Sequence, residues 1–487
     1  MAMVNAAFLW HGLHGRFAHA LSRLPPLTGR QPGRLERWAL YKLGMHQTAS
    51  HAPSACHADP ISEFARTVSA ASCGHAQAAM DSLNALRQRR AISRLRIPLA
   101  HALAPLMPEA ALQLLETSQR PPAALQIGLL LRNGHTAEAR ERLRALPAAA
   151  FRQQPELHLL HANACGGMPS NQLQRLNAFL SAHALLPLRL LDSSLPPSAM
   201  NVGAAEPYCQ ARGPLITVLM TTYRSGSRAV SAIESVLAQS YQDLELIVID
   251  DASDDDTPAL VAQLASRDAR LRLIRLPRNV GTFVAKRIGL AQAKGEFVTC
   301  HDSDDWMHPE RLARQVAPLL ANPRLIATTS DWVRIQDDGA FHARQVHPLK
   351  RINPASPLFR RERILRETGA WDCVRTGADS EFLARLALVY GAKAIKKIRQ
   401  PLTLGSHRPG SLMTAAGTGY SAAGISRHRL AYWEAWSHWH IATLAKSQVP
   451  RIPASIRDAA LNRPFPIQTN QCIAADHLEA CLRDTLK

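Results

Sequence analysis

The chain has 487 residues, 46% of them apolar, with 57 Lys and Arg against 38 Asp and Glu, a formal charge of +19. That length exceeds one compact core and predicts two or three domains. The apolar share excludes wholesale disorder, and the charge favours anionic partners such as nucleic acid, anionic lipid or phosphate-bearing substrates without choosing among them.

The first ten residues, MAMVNAAFLW, form a short apolar run with no basic stretch before it and with His and Gly just after. No cleaved export signal is expected. Nowhere do roughly 18 apolar residues run together, so no membrane span is expected. The eight cysteines, at 56, 73, 165, 209, 300, 373, 472 and 481, include no CxxC pair. A large chain without an export signal predicts reduced, mostly buried thiols. These features suggest a cytoplasmic protein whose basic surface is compatible with peripheral contact at the inner face of a membrane.

Residues 1–58 are rich in His, Arg, Pro and Gly and carry no clear periodicity. From 59 to 192 the pattern is Ala/Leu-rich and helical. Within it CGHAQAAMDSLNAL (73–86) and NGHTAEARERLRAL (133–146) match at Gly, His, Ala and Leu, sixty residues apart, with a fainter copy at MPEAALQLLE (107–116). That offset is close to two helical-hairpin units of about 30–34 residues. Tetratricopeptide-like hairpins and a plain bundle both fit, and either offers a surface for a protein partner.

Residues 193–214 read as a linker. Next come strands at 216–222, 244–250, 271–276 and 296–300, with helices at 228–239, 257–267 and 281–294 between them. Such alternation predicts right-handed βαβ units and a mostly parallel sheet. Ligands then bind beyond the carboxyl ends of the strands, just after 222, 250 and 300.

Two of those ends are acidic: DDASDDDT (250–257) and HDSDDW (301–306). Facing carboxylates repel unless a cation or a donor-rich ligand separates them. Asp302, Asp304 and Asp305 are hard oxygen ligands suited to Mg²⁺ or Mn²⁺ shared with a phosphate; acidic residues before a helix also serve as caps, the reading favoured for Asp254, Asp255 and Asp256. After the first strand stands TTYRSGSR (221–228) rather than GxGxxG, which argues against a dinucleotide enzyme.

The ordered motifs TVLMTTYRS, ELIVIDDASDDDT, RNVGTFVAKRIGLAQAKGEFVTCHDSDDWMHPERL and TGAWDCVRTGADSEFLARLALVYG resemble the inverting family 2 glycosyltransferases of the GT-A fold, over 215–411. The resemblance implies an α/β GT-A domain (a Rossmann-like mixed sheet) after the all-α region, with 412–487 as a helical extension. It implies a nucleotide-sugar site of Thr221, Tyr223, Asp251, Lys286, Asp302, Asp304 and Arg408. Tyr223 would pack on the base, and Asp251 would accept from the imide N–H of uracil, favouring UDP. Asp302-Ser303-Asp304, with Asp305, matches the DxD signature that holds ribose and the metal–diphosphate. Asp379 matches the general base. Trp306, beside the aspartates, is expected to line the sugar pocket, and the aromatic stripe YWEAWSHWH (432–440) to pack rather than bind.

This chain departs from the family in three ways. Ala378 stands where Glu usually precedes the base, Ala285-Lys286-Arg287 replaces Ala-Arg-Asn, and QxxRW is absent. The last, with no membrane span, suggests transfer of single sugars, in bacterial polysaccharide or glycoconjugate synthesis, to a glycan, lipid-linked or protein acceptor. The competing reading is an inactive glycosyltransferase-like domain in a basic helical-repeat scaffold. No DNA- or RNA-binding signature is present, so nucleic acid is not expected as a partner.

Overall fold

The computed structural model describes residues 2–25, 31–51, 59–89, 92–415, 418–421 and 424–485. Cys56 and the stretches 26–30 and 52–58 of the N-terminal segment lie outside them. The rest of that segment is helical, with Ala2–Leu13, Phe17–Leu21, Arg34–Lys42 and His46–Ser50 around a small core of Phe8, Leu21, Leu40 and Met45. Sequence periodicity did not show these short helices.

Antiparallel helical hairpins follow: Pro60–Ser72 with Ala76–Arg87, Ile92–Leu103 with Pro108–Glu116, Ala123–Arg132 with Thr136–Ala145, and Glu156–Cys165 with Pro169–Ser181. The sequence echo has a physical cause. Gly74 and Gly134 end their helices at φ +80° and +82°, a left-handed turn that glycine adopts without a Cβ penalty. In each, the next residue donates back into the helix: His75 N–H to the Ala70 carbonyl at 2.9 Å, His135 N–H to that of Leu130 at 2.8 Å. The 193–214 stretch is partly ordered, since Val202–Ala204 pairs antiparallel with Leu188–Leu190 and Val202 joins the helical core.

The α/β part runs β1 (Ile216–Thr222), α1 (Ser227–Leu237), β2 (Leu244–Asp250), α2 (Thr257–Ala265), β3 (Leu271–Arg275), α3 (Thr282–Ala291), β4 (Phe297–Cys300) and β5 (Trp306–Met307). It continues through α4 (Arg311–Ala321), β6 (Ala327–Ile335), β7 (Phe341–His342), β8 (Arg351–Ile352), β9 (Leu358–Arg360), α5 (Arg361–Glu367), α6 (Ala378–Tyr390), β10 (Ile395–Ser406) and α7 (Arg427–Ala445). The sheet order is β3-β2-β1-β4-β9-β6-β10-β5, with β7 and β8 also on β6. The first four strands are parallel, β9 enters antiparallel between β4 and β6, and β10 runs parallel to β6. The result is the expected mixed sheet.

Alternation along the strands sorts the core into two layers. Val218, Met220, Leu246 and Val248 pack under α1 and α4. Leu219, Ile247 and Ile249 pack with Phe283, Val284 and Ile288 of α3 and Phe382 of α6. Trp436 is buried in this second layer and Trp439 stacks on Phe465 at 5.1 Å, so the aromatic stripe packs. Of the seven cysteines in the described residues only Cys300, Cys373 and Cys481 are buried, fewer than expected; Cys165, Cys209 and Cys472 are exposed. No helix among the described residues is long and apolar enough to cross a membrane.

The helical region is docked on the sheet. Val333, Ile335, Phe341 and Leu404 share one core with its leucines. The segment after β7 is held by the Glu156 carboxylate, which accepts from Leu349 N–H at 2.6 Å and Lys350 N–H at 3.2 Å. Removing it strands two donors at an interface. Glu156→Ala is expected to lower unfolding free energy by about 1–3 kcal/mol, read by denaturant titration, with Glu156→Gln milder because it keeps an acceptor.

Candidate active site

Strands β1, β2 and β4 end side by side, and the chain leaves each of them into a polar loop. Thr221, near the end of β1, lies 2.7 Å from Thr282, oxygen to oxygen, and so ties β1 to the first residue of α3. Tyr223 is 44% exposed with the Arg224 guanidinium 5.1 Å from its ring. Arg224 also makes a two-pronged ion pair with Asp254, both contacts at 2.6 Å. Asp254 therefore serves this ion pair and not the helix. Asp255 accepts from Thr257 N–H at 3.1 Å, and Asp256 stands at the N-cap of α2 without a side-chain bond.

Asp251 is only 4% exposed, and each of its oxygens accepts a backbone bond at 2.8 Å, from Val280 N–H and Gly281 N–H. Burial lifts its pKa to about 6 against those two donors. The uracil acceptor expected here is thus already engaged in shaping the turn into α3, and a base contact would fall to its remaining lone pairs.

The aspartates after β4 diverge. Asp302 accepts from Lys286 Nζ at 3.3 Å, Asp304 from Arg408 Nε at 2.9 Å, and Asp305 from Ser406 N–H at 2.9 Å. Burial opposes the charge of Asp302, but the Lys286 ammonium and then His301 hold its carboxyl below the ordinary value. For Asp304 burial prevails over Arg408 and the pKa rises. Asp305 is pushed well up by burial, then by the charges of Asp304 and Asp302, and its Oδ2 is buried without a hydrogen-bond partner among the described residues.

The three-carboxylate metal cage expected from the sequence is not assembled. Among the described residues no three His, Cys, Asp or Glu side chains gather closely enough to hold an ion. Neighbouring residues in one tight turn point apart, and Asp305 is spent on the end of β10. The donor chemistry still fits a hard cation held by one or two carboxylates, Asp304 and Asp302, and completed by phosphate oxygens and water. Such a cation would also relieve the crowding of negative charge that raises Asp304 and Asp305.

Asp379 is the second residue of α6, after Gly377 at φ +90°, and accepts from Ser380 N–H at 2.8 Å. Lys286, which pairs with Asp302 at 3.3 Å, also feels the charge of Asp379. The lysine side chain is 8% exposed. Burial works against its charge, yet the carboxylates of Asp302 and, less strongly, Asp379 raise its pKa. The crevice beyond β1, β2 and β4 thus holds the pairs Lys286–Asp302 and Arg408–Asp304, with Thr221 near the end of β1, Tyr223 exposed and Asp251 buried. Trp306 is not in it: at 6% exposure it lies in the core shared with the helical region, since β5 turns its ring inward.

Two supports of the loop escaped sequence reading. Arg311, fully buried on α4, donates to Thr299 Oγ1 at 3.1 Å and to the Cys300 carbonyl at 2.9 Å, and sits 3.2 Å from His301 Nδ1. His301 in turn meets the Asp305 carbonyl at 3.1 Å. The signal was a lone Arg at the start of an otherwise apolar helix face with Leu312, Val316 and Leu319. The second support, Arg334 of β6, donates at 3.0 Å to the carbonyl of Ser406, the residue whose N–H holds Asp305.

Comparison with known proteins fits this geometry. The family described as Glycosyl transferase family 2 matches residues 217–378. A succinoglycan biosynthesis protein, ExoO, of Rhizobium meliloti is 44% identical over 103 residues, 21% of this chain and 29% of that protein. An uncharacterized glycosyltransferase of Haemophilus influenzae is 38% identical over 119 residues, 24% of this chain and 47% of that one. The chain thus spans less than half the length of these relatives. The crystal structure of S. aureus TarS 1–349 in complex with UDP-GlcNAc superposes with a TM-score of 0.34 at 18% identity, covering 40% of this chain and 59% of that one. Residues 217–378, which hold β1, β2, β4 and the acidic loop of the mixed α/β sheet behind the helical region, are thus similar to glycosyltransferase family 2.

Proposed function

We propose that the chain transfers a sugar from a nucleotide-sugar donor, a UDP-sugar, to an acceptor hydroxyl with inversion, in bacterial polysaccharide or glycoconjugate synthesis. One observation supports this reading: two cations, Lys286 of α3 and Arg408 after β10, pair at 3.3 and 2.9 Å with Asp302 and Asp304 of the loop after β4. Cations paired with carboxylates in one loop at the strand ends suit a diphosphate and the metal ion that accompanies it.

In this reading Tyr223 and Asp251 bound the nucleotide, and Lys286 and Arg408 face the diphosphate and hold the aspartates in position. Asp379 takes the proton from the acceptor oxygen as it attacks the anomeric carbon. A divalent ion on Asp304 and Asp302, when bound, would neutralise charge on the departing diphosphate. One base on the side opposite the leaving group gives inversion.

Hydrolysis of UDP-sugars tests the donor half without knowledge of the acceptor. Turnover is expected with Mn²⁺ or Mg²⁺, to fall on chelation, and to return when the ion is restored. Asp304→Ala is expected to lower kcat/KM by about 10²-fold, the scale of losing a charge-stabilising contact. Equal, background-level release by the unmodified chain and by this variant would favour the inactive scaffold.

A further inference from the structure

Strand pairing beyond the acidic loop builds another wall. On β6, Arg334 lies opposite His342 of β7 on one side and Gly405 of β10 on the other. Side chains alternate across a strand, so Trp332, Arg334, His342 and Gly405 share a face. Val333, Ile335, Phe341 and Leu404 turn the other way, into the core under the helical region. His407, two residues past Gly405, joins the first face and stacks on His342 with ring centroids 3.7 Å apart and planes 4° from parallel.

Gly405 is what makes the wall flat. A Cβ there would stand 2.6 Å from the Trp332 ring and 3.2 Å from the Arg334 side chain. With bare backbone, Trp332 lies across the strand and the Arg334 guanidinium sits 5.4 Å from its ring centroid. Arg132 reaches in from the helical region and donates to the Ala343 carbonyl at 2.7 Å.

Two guanidiniums, Arg334 and Arg132, bring positive charge to this wall, while its two imidazoles stay neutral near pH 7. Burial lowers the pKa of His342 to about 3, helped by His407, Arg132 and Arg334, and that of His407 to about 4, helped by Arg334 and Arg132. Two polar atoms, Arg334 Nε and His407 Nδ1, are buried without a hydrogen-bond partner among the described residues. Buried polar atoms of this kind call for a partner, which an ordered water or a ligand oxyanion can supply. The wall also touches the chemistry: Arg334 donates to the carbonyl of Ser406, whose N–H bonds Asp305, and Arg408, bonded to Asp304, follows His407 directly.

Aromatic faces pack against the C–H faces of sugar rings, and a guanidinium matches a carboxylate or phosphate in two-pronged geometry. We propose that this wall is the acceptor subsite for a saccharide bearing an oxyanion, with the ring on Trp332 and the oxyanion held by Arg334, His407 and Arg132. The proposal rests on the transferase reading and names the acceptor class it lacked. It also gives the helical region a part in acceptor choice, through Arg132.

The test titrates the full chain, saturated with UDP, with glucuronate, glucose 6-phosphate, glucose and inorganic phosphate, followed by calorimetry. At least one anionic sugar is expected to bind about tenfold more tightly than glucose or inorganic phosphate, the scale of one charge-assisted hydrogen bond. The preferred one of the two identifies the oxyanion as carboxylate or phosphate. Arg132→Gln and Trp332→Leu are each expected to lose that preference while UDP affinity stays within about twofold, which shows that the variants fold. Equal binding of glucose and the anionic sugars overturns the subsite, as does anionic-sugar binding unchanged in both variants or competitive with UDP. Failure of the unmodified chain to bind UDP overturns the transferase reading and the subsite together, whereas UDP binding without an anionic preference overturns the subsite alone.

Discussion

Asp379→Asn is expected to reduce kcat for sugar transfer by about 10²–10⁴-fold, the contribution of a positioned general base, with UDP affinity almost unchanged. Asparagine matches the shape of the aspartate and keeps an acceptor for Ser380 N–H, the bond the carboxylate makes at 2.8 Å. It removes the basic lone pair and one of the two carboxylate charges acting on Lys286. Asp302 is the stronger of those two and remains, so the lysine keeps its partner and the diphosphate side of the crevice keeps its shape. A helix-capping residue would behave otherwise: asparagine caps nearly as well as aspartate, and transfer would stay near that of the unmodified chain. Single-turnover transfer, measured beside UDP binding, separates these outcomes. Ala378 does not weaken the expectation. Its side chain is fully buried in the core, so the glutamate that relatives often place there is replaced at a position facing packing, not the acceptor.

How much of this was legible follows from range. Strand periodicity and the polar segments after 222, 250 and 300 are local properties, and they placed β1, β2, β4 and the crevice together. Lys286 and Arg408 were named from motif position, yet their partners, Asp302 and Asp304, depend on how α3 and the end of β10 meet one loop. The separate paths of the three aspartates were hidden for a related reason. Asp302, Asp304 and Asp305 are adjacent in sequence, but a tight turn sends them to three different donors, one of them a backbone N–H of Ser406 about a hundred residues away. Trp306 was misplaced because nothing local reveals that β5 pairs with β10 and buries the ring. The wall of Trp332, Arg334, His342 and His407 was beyond sequence reading altogether, since its face is set by register among three strands.

Arg385→Ala is expected to cost about 3–5 kcal/mol of stability, the penalty for leaving one partner of a buried ion pair uncompensated. On α6, one turn past Asp379, Glu381 and Arg385 are both fully buried. The guanidinium donates to Glu381 at 2.8 and 2.9 Å and to the carbonyls of Thr368, Gly369 and Ala370 at 2.6 to 2.9 Å. His440 of α7 meets the same carboxylate at 3.0 Å. Burial alone would raise the Glu381 pKa, but Arg385 and His440 bring it down from 4.5 to about 2. A carboxyl lowered on folding stabilises fully above its unfolded pKa, and that contribution is lost as pH falls through the folded one. The unmodified chain should therefore lose stability between about pH 4.5 and pH 2 through this group, and Glu381→Gln should flatten that part of the acid-unfolding curve. The consequence reaches catalysis because the pair anchors the helix that presents Asp379. Arg385→Met, which keeps the bulk without the charge, combined with Glu381→Gln, should recover much of the stability, as paired removal of buried charges often does. If the double variant unfolds as readily as Arg385→Ala, the carbonyl bonds to 368–370 are the larger part of the anchor and the ion pair the lesser.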